Sequence, residues 1–192
     1  PDALKNYFNC LKIMEEIGDK RSIAGAYNNI GTIHYAQGNY PDALKNYFNC
    51  LKIMEEIGNK EGIVVSYSNI GEVFTAQKKY KEAEEYLLKG MELAKETGHK
   101  ANLKGAYECL SELSKKKGNY KAAYGYYKLY SEIKDTLFNE ENNRLLAEMQ
   151  TKYETEKKEH KISLLESEKQ VQTLEIEKLN VNKKNQLIFT GS

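Results

Sequence analysis

The sequence predicts an all-α fold: a solenoid of antiparallel helix pairs followed by a long C-terminal helix. Three observations carry that expectation. The stretch PDALKNYFNCLKIMEEIG occurs twice, at 1–18 and again at 41–58, forty residues apart. Self-similarity at a fixed period of this size is the mark of a repeat architecture. Within each copy the apolar residues recur at helical spacing, and the copies are punctuated by glycine at fixed intervals.

The periodicity runs well beyond the duplicated stretch. At a shift of forty, Gly18, Gly58 and Gly98 align, as do Tyr40, Tyr80 and Tyr120, and Ala3, Ala43, Ala83 and Ala123. Tyr27, Tyr67 and Tyr107 form another column, and Ile30, Ile70 and Leu110 another. The register fails at 138, where Phe stands in place of Gly, so the array is expected over 1–137.

Each unit reads as two helices. Ile23, Tyr27, Ile30 and His34 follow i, i+4, i+7 and i+11 on the first. Leu44, Tyr47, Phe48, Leu51 and Met54 occupy one face of the second. Gly38 closes the first helix and Pro41 stands in the first turn of the next. Gly58 with Asn59 ends the second, since glycine tolerates the left-handed conformation of many helix C-termini. No alternating β-branched run appears, so no strand is expected. A helix pair with two apolar faces buries both only by stacking on its neighbours. Pro1 falls in the second helix of a unit, which predicts further repeats upstream.

The stretch AYNNIGTIHYAQGNYPDALKNYFNCLKI (26–53) resembles a tetratricopeptide repeat. Tyr27 matches its aromatic column, Ile30-Gly31 its Leu-Gly pair, Gly38 and Tyr40 its turn, Ala43 its small-residue column and Tyr47 a second aromatic column. The next unit keeps Tyr67, Ile70-Gly71, Phe74, Tyr80 and Ala83; the third keeps Tyr107, Leu110, Gly118, Tyr120, Ala123 and Tyr127, with Ser111 replacing Gly. The unit exceeds the usual length of about 34 residues. Such longer units resemble those of bacterial signalling proteins and animal polarity adaptors. The resemblance implies that Gly31 and Gly71 let paired helices approach closely, with Ala43 and Ala83 at the contact.

Composition excludes little but points away from some partners. A net charge of +1 gives no reason to expect nucleic acid or an anionic membrane surface. The three cysteines, 10, 50 and 109, lack CxxC spacing. Cys10 and Cys50 occupy equivalent positions on stacked repeats, about 8–10 Å apart, too far for a disulfide, so free thiols are expected. No transmembrane span or signal sequence is read in these residues.

From Asn139 the character changes. Residues 139–186 contain neither Gly nor Pro and are rich in Glu, Lys, Leu and Gln, good helix formers. Residues 138–186 are expected to form a charged helical linker, with 187–192 as a short tail. Asn139 followed by two glutamates reads as a helix start, or the segment continues the last repeat helix. Leu146, Met149 and Tyr153 begin a heptad, Glu156 and His160 interrupt it, and Ile162, Leu165, Ile176 and Leu179 resume it out of phase. That stripe is compatible with a parallel dimeric coiled coil, a solvated single helix or a helix folded back on the repeats. The stretch QTKYETEKKEHKISLLESEKQ resembles the linker that follows periplasmic repeat arrays in Bacteroides-type sensor histidine kinases. That resemblance would place the array on the periplasmic side of a bacterial inner membrane; the residues themselves leave the compartment open.

Catalytic chemistry is hard to find. His34, His99 and His160 are isolated, and no HExxH, CxxC pair, phosphate loop or nucleophile elbow occurs. No enzyme, metal or cofactor is expected. By resemblance, the concave groove presents Asn28, Asn29, Thr32 and Tyr35 in one unit, Ser68, Asn69, Glu72 and Thr75 in the next, and Glu108 and Glu112 in the third. Asn29 and Asn69 are the leading candidates to clamp an extended peptide backbone, since an amide both donates and accepts; the alternative is a structural bond between helices. The Lys and Arg that grip a C-terminal carboxylate in chaperone-binding members are replaced by Asn28, Ser68 and Glu108 at one column and Thr32, Glu72 and Glu112 at the other. The expected function is therefore a non-catalytic protein- or peptide-binding module, the sensor or interaction region of a bacterial signalling protein relaying through its C-terminal helix. The alternative is self-association, as a homodimer through the C-terminal helix or through the unpaired opening helix.

Overall fold

The computed structural model describes residues 7, 11 and 13–190, without the side chains of 179 and 181–190. All regular structure among the described residues is helical. After a helical segment at 13–17 come α1 (Lys20–Ala36), α2 (Tyr40–Glu56), α3 (Lys60–Ala76), α4 (Tyr80–Thr97), α5 (Lys100–Lys116) and α6 (Tyr120–Thr190). No helix among the described residues is long and apolar enough to cross a membrane.

Helices begin every twenty residues because one two-residue device joins them. Gly38 takes φ +72° and its N–H donates to the Tyr35 carbonyl, while the Asn39 N–H reaches back to His34 O. This pair of bonds is the Schellman closure of α1. The Asn39 side chain then caps α2 by accepting from the Asp42 N–H. Gly58-Asn59 and Gly118-Asn119 repeat the arrangement, with Asn59 accepting from Gly62 N and Asn119 from Ala122 N. Two junctions differ: at 78–79 Lys78 adopts the same left-handed conformation with φ 60° and Lys79 offers no side-chain cap, and at 98–99 His99 offers none.

Pairing and stacking follow the sequence columns. Within pairs, α1 packs on α2 and α3 on α4; between pairs, α2 packs on α3 and α4 on α5. One core joins Ala43, Tyr47 and Leu51 of α2 to Ile70 and Val73 of α3. The next joins Ala83, Leu87 and Met91 of α4 to Ala106, Tyr107, Leu110 and Leu113 of α5. The small-residue column has a steric cause. A Cβ on Gly31 would stand 2.7 Å from a Tyr47 ring carbon, and one on Gly71 2.5 Å from Leu87 Cδ2. Ser111, at the same column, uses its side chain instead: its hydroxyl donates to the Ala123 carbonyl at 2.9 Å.

Residues 1–138 form one compact unit and 139–192 another. The helix start expected at Asn139 does not occur; residues on both sides belong to α6, the continuation that the missing glycine at 138 allows. In the second unit residues 139–178 and 180 are all exposed. Helix-local contacts stabilise it, including Arg144 to Glu141 at 2.6 Å and Thr151 and Thr155 hydroxyls donating to carbonyls one turn back. Of the apolar residues in the expected heptads, Leu146, Met149, Tyr153, Ile162, Leu165 and Ile176 are exposed, and the Leu179 side chain lies outside those described. Cys50 and Cys109 are free thiols; Cys10 and most of the opening helix also lie outside the described residues.

Candidate functional site

A cavity of about 560 Å³ opens within the first unit. Three first helices supply one wall: Tyr35 from α1, Glu72, Thr75 and Ala76 from α3, and Glu108, Cys109, Ser111, Glu112, Lys115 and Lys116 from α5. The opposing wall comes from α6, through Tyr127, Tyr130 and Lys134. The volume lies within the range of about 300–1,000 Å³ usual for ligand pockets. Stacking at a constant twenty-residue step sets the first helices side by side, so residues one repeat apart, such as Glu72 and Glu112, arrive on one surface.

Five of the ten residues expected in the groove line this cavity: Tyr35, Glu72, Thr75, Glu108 and Glu112. The other five stand elsewhere. The Asn69 amide donates to Asn28 Oδ1 at 2.7 Å, bridging α3 to α1. The Thr32 hydroxyl donates to the Asn28 carbonyl at 3.0 Å and accepts from the Tyr47 hydroxyl at 3.2 Å. Asn28, Thr32 and Asn69 thus belong to a polar relay that ties α2, α1 and α3 together. Asn29 is exposed. Ser68 is half-buried, with its hydroxyl near the place a Gly90 Cβ would take. Thr75 is buried and its hydroxyl donates to the Gly71 carbonyl at 2.8 Å.

The electrostatics of the cavity are uneven. Glu112 is flanked by Lys115 and Lys116 at 3.7 and 3.9 Å. Glu72 has a different neighbour: the Cys109 thiol donates to Glu72 Oε1 at 3.2 Å. Burial pushes the Cys109 thiol far above its ordinary range, and the Glu72 and Glu108 carboxylates push it further. It is a neutral hydrogen-bond donor, not a nucleophilic thiolate. Burial also raises Tyr35, with Glu72 as the next cause. Among the described residues no group of three His, Cys, Asp or Glu could hold a metal ion.

The α6 wall escaped the sequence reading, which assigned the groove to first helices alone. A signal did exist. Tyr127 occupies the column of Tyr47 and Leu87, which are 3% and 1% exposed under the following repeat, whereas Tyr127 is 58% exposed. An aromatic residue at a stacking position with no following repeat in register is left free to line a surface.

Residues 22–96 match the tetratricopeptide repeat family. No curated protein matches the chain. Among solved structures, BtubC (BKLC) from P. vanneervenii is 17% identical with a TM-score of 0.62, covering 70% of this chain and 56% of that one. RapI in its apo form is 23% identical with a TM-score of 0.64, over 73% of this chain and 51% of that one. The TPR domain of Arabidopsis FLU is 16% identical with a TM-score of 0.56, and 98% of it is covered. At these identities the likeness is one of fold. This chain spans about half the length of the first two.

Proposed function

We propose that the chain is a non-catalytic interaction module whose cavity between the first helices and α6 receives a peptide segment of a partner protein. Tetratricopeptide repeats are a protein-interaction fold, and the observation that carries the finer reading is the cavity itself. It is lined from three successive repeats and holds three tyrosines beside Glu72 and Glu108, which have no ion pair among the described residues. Tyrosine supplies amphipathic contact area at little entropic cost, and so recurs at peptide and protein interfaces. The stretch 139–186, free of glycine and proline, supports a further role as a relay toward an output domain, in keeping with the linker resemblance. Titration of a selected peptide against the chain tests the cavity: Tyr35→Ala and Tyr127→Ala should each weaken binding about ten-fold, or 1.4 kcal/mol, while Asn29→Ala, outside the cavity, should not. Equal affinity in all three variants removes the cavity from the account.

A second reading, self-association, has its own observation. Tyr120 and Tyr124 are each 71% exposed beside Tyr127, an aromatic edge with no repeat packed on it. Sedimentation across a concentration series separates the readings, since a chain that stays monomeric at high concentration removes this one.

A further inference from the structure

The cavity holds three glutamates and three lysines, one of which, Lys134 on the α6 wall, makes no ion pair among the described residues. Glu112 has its lysines, whereas Glu72 and Glu108 have no cation within salt-bridge distance among the described residues. Among the described residues, the hydrogen bond received by this pair is the thiol proton from Cys109 to Glu72. The strongest charge acting on Tyr35, on Tyr47 and on Cys109 is in each case Glu72. Tyr35, Cys109, Glu72 and Glu108 thus form one anionic corner. It is closed behind by a thiol that donates a hydrogen bond to Glu72 and, neutral or ionised, carries no positive charge to balance a carboxylate.

We infer that this corner is a receptor for a cationic side chain, a lysine or arginine of the bound segment, seated between the Glu72 and Glu108 carboxylates with its aliphatic stem along the tyrosine rings. This rests on the cavity being a peptide site. Lysine and arginine suit such a corner because their stems bury against apolar surface while the charged head reaches outward to its partner. A guanidinium adds a planar fork matched to carboxylates and able to stack on an aromatic ring. The same carboxylates repel an acidic side chain or a C-terminal carboxylate. Both glutamates are exposed and therefore accessible, and neither is needed by the core.

The test uses positional-scanning nonapeptide pools, with one position fixed as Arg, Lys, norleucine or Glu, offered to the full chain and read by affinity-selection mass spectrometry. The Arg and Lys pools should be retained about ten-fold more than the norleucine pool, and the Glu pool least. Glu72→Gln/Glu108→Gln, two isosteric changes at exposed positions, should abolish that ranking while peptides are still retained and the far-ultraviolet spectrum is unchanged. Retention with no preference for a cation, or a preference that survives in the double variant, overturns the inference and leaves the peptide site standing. Retention of no pool overturns both. Self-association of the chain that the double variant reverses would make the occupant a second copy and overturn the assignment to a partner's segment.

Discussion

Ile70 and Leu165 are aliphatic residues of similar size, both in helices, in opposite surroundings. Ile70 is fully buried between α2 and α3, while Leu165 is 54% exposed in the second unit. The difference extends to the segments around them. In the repeats a helix of seventeen residues is marginal on its own and is held by caps at its ends and by apolar faces sealed against neighbours. From 139 onward the helix relies on propensity, on pairs such as Arg144–Glu141 and on bonds one turn apart, each contributing a few tenths of a kcal/mol. Helicity is common to both regions, but only in the first is it coupled to a core.

The largest effect expected follows directly. Ile70→Ala removes buried methyls from a closed core and should destabilise the array by about 2–5 kcal/mol. Leu165→Ala should change its thermal or denaturant midpoint by less than the equivalent of about 0.5 kcal/mol. Comparable losses from both substitutions would mean that the second unit shares a core with the first.

A finer comparison lies within the repeats, between two glycines. Helix propensity favours alanine over glycine by about 1 kcal/mol. At Gly105 a Cβ meets nothing within 4 Å, so Gly105→Ala should raise the midpoint. At Gly71 the same Cβ lands against Leu87, and overpacking of about 1–3 kcal/mol should outweigh the propensity gain, so Gly71→Ala should lower it. A rise in both would show that α3 and α4 are less closely apposed than described.

The smallest effect concerns the turns. Lys78 holds a left-handed conformation that five glycines adopt at the equivalent places. A non-glycine residue there costs about 1–2 kcal/mol, partly offset because glycine loses more entropy on folding. Lys78→Gly should therefore stabilise by about 0.5–1 kcal/mol, read as a shift in denaturant midpoint at constant slope. No gain would mean that the Lys78 side chain compensates through contacts of its own.

These residues also mark how far the sequence was legible. The glycine, alanine and aliphatic columns announced the turns, the close contacts and the cores, because each follows from a local rule repeated at a fixed period. Lys78 did not, since its conformation is imposed by the helices on either side and contradicts its own preference. Half of the expected groove residues reach the cavity, as position on a first helix is readable from the period. The engagement of Asn69 with Asn28 was left open, because whether an amide faces a ligand or a neighbouring helix depends on the separation between repeats. The α6 wall was missed because its tyrosines belong to a column that is core elsewhere, and only the lack of a following repeat in register makes it surface.

The central claim, that the repeats are held by cores between neighbouring hairpins while residues 139–178 are exposed along their helix, is tested most directly by hydrogen–deuterium exchange on the full chain under conditions where light scattering shows a monomer. Amides around Ile30, Ile70, Val73 and Leu110 should exchange through unfolding of the array, orders of magnitude more slowly than those of 145–176. Equal protection in the two regions, or exchange near the rate of an isolated helix around Ile70, would contradict it.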